Sequence, residues 1–286
     1  ALPEVVGTLF SLKALDASGN RLKGVPEAVC ACMELEELLL FSNAIKEIPA
    51  AFNGDHLPRL KTLNLYNNQL TKLPPQVGTL ASLEEVNVAG NKLMVVGDEA
   101  MQGWEQVQVL SLYDNRIVRL GSLRPLGFLK ELRLYGNNLE TAPEVGDCPD
   151  LEVLEVHKNR IAEIPEDFFP KMPNLKRLVL SANLLTSLPE SLAACRALQQ
   201  VQVQENQLAS LPAGVAAPGL ETLFAQDNPL ATLPPELAEC GAMRRCNLAN
   251  LPLDAPGKEV AAALKATTLG NKGGIFWDLT GAQVTA

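Results

Sequence analysis

The sequence predicts an α/β solenoid: a right-handed horseshoe with a parallel sheet on its concave side and short helices or turns on its convex side. Three observations predict it. One phrase, L-x-x-L-x-L-x-x-N-x-L, returns eleven times along the 286 residues and is usually closed by x-x-L-P. Asn20, Asn43, Asn68, Asn91, Asn115, Asn137, Asn159, Asn183, Asn206 and Asn228 mark its beat at intervals of 22 to 25 residues, and in the last copy Leu251 takes the asparagine's place. Within each copy, apolar residues alternate with polar ones at the two-residue period of a strand.

The strand opens each repeat. In Leu60-Lys61-Thr62-Leu63-Asn64-Leu65, the apolar Leu63 and Leu65 point inward, and Thr62, Asn64 and Tyr66 point outward. The pairs Leu132/Leu134, Leu178/Leu180 and Val201/Val203 follow the same pattern. Strands this short must pair in parallel with their neighbours, which requires a crossover on the opposite side. Ten intervals of about 4.8 Å give a concave face on the order of 50 Å long.

The asparagine follows, where the chain turns from the strand into the coil. Its amide offers two donors and an acceptor to backbone groups that the bend leaves unpaired, so the asparagines form a structural ladder rather than a ligand set. A Leu-Pro step comes next, at Leu73-Pro74, Leu188-Pro189, Leu211-Pro212 and Leu233-Pro234, with Ile48-Pro49 and Ile164-Pro165 as variants. Proline has no donor and a fixed φ, which suits the start of a short convex helix or turn.

Two regions follow from this pattern. Residues 1–253 form the solenoid, a partial first repeat and then eleven repeats, and residues 254–286 form a C-terminal helix and capping tail. The partial repeat, Ala1-Leu2-Pro3-Glu4-Val5-Val6, lacks its strand and leaves apolar surface at that end. In the tail, Lys258 to Thr267 is helix-forming, with Gly270 as its stop, and Phe276 and Trp277 are placed to fold over the last coil. Gly270-Asn271-Lys272-Gly273-Gly274 lacks the G-x-x-x-x-G-K-[ST] pattern of a phosphate loop and reads as a turn.

These repeats resemble the leucine-rich-repeat superfamily, and the 23-residue L-P form is similar to the repeats of scribble, erbin and the Ras-suppressor proteins. The resemblance covers about residues 2 to 253, with Val86, Val201 and Cys246 departing from leucine at the fourth position. It implies a concave face, or a rim, that binds another protein. Many members of that superfamily adjoin a kinase, a GTPase or a PDZ module, and no such module is visible in this sequence.

Composition narrows the partner. A formal charge of −9 without a cluster of Lys or Arg argues against nucleic acid. No run approaches the ~18 apolar residues that a membrane span needs, which argues against membrane insertion. Cys30, Cys148, Cys195 and Cys240 fall near the ends of convex segments, as small core seals. Cys30-x-Cys32 has no second pair at zinc spacing, so neither a metal nor a cofactor is expected. The resemblance implies clustered cysteine caps at the ends of extracellular members; this sequence shows none and has no N-x-S/T site, which suggests a reducing, intracellular compartment, the cytoplasm.

One outward column carries the functional signal. The position after the sixth reads Ser18, Phe41, Tyr66, Ala89, Tyr113, Tyr135, His157, Ser181, Gln204, Gln226 and Ala249. It holds all three tyrosines of the chain. An outward tyrosine has no core to fill, and its large, stiff, polar-tipped ring suits recognition; cross-strand packing is the competing explanation. At the C-terminal end of the aromatic run, Glu131, Arg133, Glu155, His157, Lys158 and Arg177 form a mixed-charge group, and Ala89 is a notch between tyrosines. Phe224 is a lone outward aromatic. His56 and His157 lie about four repeats apart, and no catalytic constellation accompanies them. The expected function is a non-catalytic protein-interaction scaffold. The alternatives are a regulatory segment of a larger kinase or GTPase, and a structural subunit of a large assembly whose oligomeric state is open.

Overall fold

The structure is a computed structural model that describes residues 2–277 and 280–285. Ala1, which opens the expected partial repeat, and Asp278, Leu279 and Ala286 of the expected tail lie outside these residues. The chain forms two compact units, one of Ala1–Leu139 with Pro143–Cys148 and one of Glu140–Ala142 with Pro149–Ala286.

In the first unit, three-residue strands stand at the predicted positions: β1 (Ala14–Asp16), β2 (Glu37–Leu39), β3 (Thr62–Asn64) and β4 (Glu85–Asn87). After the short strand β5 (Val95–Val96) come β6 (Val109–Ser111), the short β7 (Arg119–Leu120) and β8 (Glu131–Arg133). β1, β2, β3, β4, β6 and β8 pair in parallel in that order, one repeat per strand. The register sets Leu15, Leu38, Leu63, Val86, Leu110 and Leu132 in one row. Apart from the half-exposed Leu15 at the edge, that row is buried. Trp104 fills the core opposite, wholly buried, and its indole N–H donates to the Val77 carbonyl at 3.1 Å.

The second unit repeats the plan with β9 (Val153–Glu155), β10 (Arg177–Val179), β11 (Gln200–Gln202), β12 (Thr222–Phe224) and β13 (Arg245–Asn247), all parallel. β14 (Ile275–Trp277) adds a further parallel strand, and β15 (Gln283–Thr285) folds back antiparallel to it. Before β14 runs α1 (Ala255–Gly270), longer than the predicted Lys258–Thr267. Its start was missed because the signal is Asp254, whose carboxylate accepts the Gly257 N–H at 2.8 Å, followed by Pro256 in the first turn. Phe276 is buried, whereas Trp277 stays half-exposed on the outer strand face.

The asparagine ladder takes the predicted form. Asn115 Oδ1 accepts the Leu93 N–H at 3.0 Å, and its Nδ2 donates to the carbonyls of Leu112 at 3.0 Å and Val88 at 3.1 Å. In the second unit Asn206 likewise accepts from Leu185 at 3.1 Å and donates to Leu180 at 3.1 Å. Asn20 is the outlier: exposed in the first repeat, it bonds only its own turn, at Ala17 and Ser18.

A second feature of the bend is only partly written in the sequence, as Gly, Asn or Asp in seven of eleven repeats. The residue before each ladder position has φ between 51° and 66°: Gly19, Ser42, Asn67, Gly90, Asp114, Gly136, Lys158, Ala182, Glu205, Asp227 and Asn250. The bend therefore demands left-handed backbone in every repeat, whichever residue is there.

On the opposite side the Leu-Pro steps lead into single-turn 3₁₀ helices such as Pro75–Thr79 and Glu190–Ala194. Two repeats depart, with Gly97 and Gly121 where their neighbours have Pro74 and Pro143. There β5 and β7 pair in parallel, and the Gly121 N–H, which a proline would lack, donates to Val96 at 2.7 Å.

Candidate protein-binding face

In the first unit, the outward positions of β3, β4, β6 and β8 and the residues that follow them build the candidate face. Asn64 Oδ1 accepts the Tyr66 N–H at 3.0 Å, fixing the backbone as it leaves β3. Asn87 does the same for Ala89 at 3.1 Å. Tyr66 then leans across the next repeat. A Cβ on Gly90 would sit 3.1 Å from Tyr66 Cε2, so glycine there makes room for the ring.

Tyr66 and Tyr113 belong to strands two intervals apart, about 9.6 Å of sheet. Their ring centroids are nevertheless only 6.0 Å apart, tilted by 43°. Tyr113 and Tyr135 stack at 4.5 Å and 10° from parallel. The predicted notch does not exist: Ala89, between Tyr66 and Tyr113 in the column, is 0% exposed. Its small size lets the two rings approach instead. The tyrosines are also less exposed than an outward position suggests, with Tyr66 at 37% and Tyr113 and Tyr135 half-buried. Burial pushes the Tyr113 phenol above its ordinary 10, with further contributions from Tyr66 and Asp114. Phe41 is half-buried at the same column position after β2.

Below the tyrosine row a cleft of about 150 Å³ is lined by Thr62, Asn64, Glu85, Asn87, Ser111 and Arg133. Arg133 pairs with Glu131 two residues back on its own strand. Glu85 has no ion pair among the described residues, so the cleft presents a carboxylate on one side and a guanidinium on the other. The cleft has no counterpart in the repeat pattern and arises where short Asn and Ser side chains stand between longer neighbours.

In the second unit, Arg177 Nε donates to Glu155 Oε1 at 2.7 Å, and its Nη1 reaches Gln200 Oε1. Glu155 is buried and His157 half-buried. Four of the charges predicted to face a partner as a mixed group are therefore already paired along the sheet, Glu131 with Arg133 and Glu155 with Arg177. Phe224 is not alone either. It meets Trp277 edge-on at 5.9 Å, because β14 adds a strand beyond the last repeat.

Cys30, Cys32, Cys148, Cys195, Cys240 and Cys246 are all buried, and none forms a disulfide among the described residues. Burial pushes Cys195 up to about 12 and Cys30 up to about 11. No group of His, Cys, Asp and Glu among the described residues has metal-site geometry. No described helix is long and apolar enough to cross a membrane.

Two leucine-rich-repeat family models match the chain, one over residues 81–139 and 149–208 and the other over 34–76 and 58–94. Among curated relatives, mouse podocan is 30% identical over 253 residues, covering 77% of this chain and 40% of podocan. The mouse leucine-rich repeat serine/threonine-protein kinase 1 is 30% identical over 213 residues, covering 69% of this chain and 10% of the kinase. The chain thus spans well under half the length of either. Among solved structures, a leucine-rich-repeat protein of Leptospira interrogans superposes with a TM-score of 0.75 at 26% identity, over 93% of this chain and 73% of that one. The Arabidopsis receptor kinase HAESA ectodomain, solved with a peptide hormone ligand, superposes at 0.73 and 28% identity, over 88% of this chain and 44% of that one.

These relatives overturn the cytoplasmic placement, because podocan is secreted and the HAESA segment is an extracellular receptor domain. The expectation rested on absent cysteine caps and N-x-S/T sites, and the cysteines that are present are no guide to compartment either. A small buried thiol with a raised pKa is protected from oxidation, so its reduced state reports the core and not the compartment. The two family-model matches, together with 30% identity to podocan over 77% of the chain, show that the chain belongs to the leucine-rich-repeat family.

Proposed function

We propose that this chain is a protein-binding scaffold with no chemistry of its own, gripping its partner on the outward, concave side of the strands. In the first unit the contact residues are Phe41, Tyr66, Tyr113 and Tyr135, with Glu131 and Arg133 on the polar border. In the second they are His157, Glu155 and Arg177. One observation carries this reading: three tyrosines share one face, and two of them are stacked at 4.5 Å before any partner arrives. Rings already ordered lose little freedom on binding, and tyrosine is enriched among residues that dominate interface energies. The peptide held by the HAESA ectodomain, a relative in fold, supports a protein or peptide as the occupant. Residues 254–286 act as the cap of the solenoid, with Phe276 as its buried plug.

A photo-reactive amino acid placed at position 66 should crosslink to the partner, whereas one at Gln76, beyond the Leu73-Pro74 step, should not. Crosslinks from Gln76 alone would move binding to the other side. The match to a repeat segment within a protein kinase favours a second reading, a regulatory segment of a larger signalling enzyme. The two readings share the face and differ in what is attached to it.

A further inference from the structure

The repeats that carry Asn91 and Asn115 are built differently on their flank, and three independent features meet there. The first is the replacement of proline by Gly97 and Gly121. A Cβ at Gly97 would lie 2.6 Å from both Glu99 carboxylate oxygens, and one at Gly121 would lie 2.5 Å from Asp98 Oδ1. Each glycine thus gives up its side-chain volume to a neighbouring carboxylate.

The second feature is a cavity of about 440 Å³ lined by residues of β5, β7 and the turns after them, with Asp98, Glu99 and Glu144 as its acids and Arg119 as its base. That volume falls within the range of roughly 300–1,000 Å³ seen for small-ligand clefts and easily admits one long side chain. Asp98 also accepts the Ser122 N–H at 2.6 Å, and Glu144 pairs with Arg124 at 2.9 Å. Asp98, Glu99 and Arg119 have no ion pair among the described residues, so with Glu144 held by Arg124 the lining keeps two carboxylates against one guanidinium.

The third is apolar exposure beside the cavity. Met94 is 57%, Val95 47% and Val118 51% exposed. Met94 and Val118 occupy the same position in adjacent repeats, and the Val118 N–H donates to the Met94 carbonyl at 3.0 Å. The preceding repeat has Thr71 and Lys72 at the places of Met94 and Val95, which shows that the fold itself asks for nothing apolar there.

We propose that this flank is a second docking surface, separate from the tyrosine face, for an extended protein segment with an apolar side chain next to a Lys or Arg. The apolar residue covers Met94, Val95 and Val118. The cation enters the cavity, where the lining acids outnumber the base and Glu99 awaits a counter-charge. Charge complementarity selects this occupant over an acidic or a wholly apolar segment.

The test is selection of a random dodecapeptide phage library on the full chain. Enriched peptides should place an aliphatic or aromatic residue beside Lys or Arg. Their binding should fall about tenfold or more in Met94→Thr/Val95→Lys, which copies the preceding repeat and so preserves the fold. It should fall similarly in Glu99→Lys and be unchanged in a Tyr66/Tyr113/Tyr135 triple alanine variant. A selection whose enriched peptides all lack basic residues, all bind both flank variants as they bind wild type, or all depend on the tyrosines would overturn the proposal. So would a selection in which no peptide is enriched.

Discussion

The rings of Tyr113 and Tyr135 stack 4.5 Å apart and 10° from parallel, although they belong to different repeats of the first unit. Stacking gives these side chains a role in the folded state as well as at an interface. A double-mutant cycle of Tyr113→Ala and Tyr135→Ala in urea should return a coupling of about 1 kcal/mol. Strictly additive losses would show that the two rings merely lie side by side.

Asn115→Ala removes one acceptor and a bifurcating donor from a buried bend, leaving the Leu93 N–H and the Val88 and Leu112 carbonyls short of partners. Each such group costs roughly 1–3 kcal/mol, so the variant should lose at least about 2 kcal/mol of stability. Asn20→Ala should cost far less, since Asn20 is exposed and bonds only within its own turn. Equal melting temperatures for Asn115→Ala and wild type would remove the ladder from the account.

Ala182 sits at φ 53°, where an L-residue with a Cβ is strained by about 1–2 kcal/mol. Glycine relieves that strain and adds about 0.5–1 kcal/mol of unfolded-state entropy, so Ala182→Gly should stabilise by up to about 1 kcal/mol. A thermal or urea midpoint at or below wild type would mean that the bend tolerates a side chain without strain.

The buried thiols predict an alkaline limb. In the unfolded chain a cysteine ionises near 9, whereas burial pushes Cys195 up to about 12 and Cys30 up to about 11. Between those values the folded state holds the proton that the unfolded state releases. This contribution to stability is therefore fully present below pH 9 and lost as pH rises beyond it. Urea midpoints should decline above pH 9, and replacing Cys195 and Cys30 by Ala should flatten the decline. A slope unaffected by those replacements would assign it to other groups.

Much of the fold was legible because each repeat restates the same constraint. The alternation around Leu63 and Leu65 could only be a strand, and the asparagine after it needed buried backbone partners. The approach of Tyr66 and Tyr113 over Ala89 was not legible, because it depends on how two side chains lean across a third repeat. The left-handed bend was legible only in part, where Gly, Asn or Asp stands before the ladder position. Ser42, Lys158, Ala182 and Glu205 carry no preference for positive φ, so the turn imposes it through tertiary pairing. Gly97 and Gly121 were visible as departures from proline, but only the packing of Glu99 and Asp98 shows what the departures accommodate. The compartment was misread from two absences, cysteine caps and N-x-S/T sites, and the six buried thiols that remain answer to the core.

The central claim, recognition through the tyrosine row, is tested most directly by affinity capture from extracts of the source organism. Wild type would be compared with a Tyr66/Tyr113/Tyr135 triple alanine variant, after circular dichroism and melting confirm that both are folded. The account predicts that partners recovered with wild type are lost or reduced about thirtyfold with the variant, the loss expected when a hot spot of about 2 kcal/mol is removed. Recovery of the same partners in equal amounts by a folded triple variant would contradict it and leave the row a packing role alone.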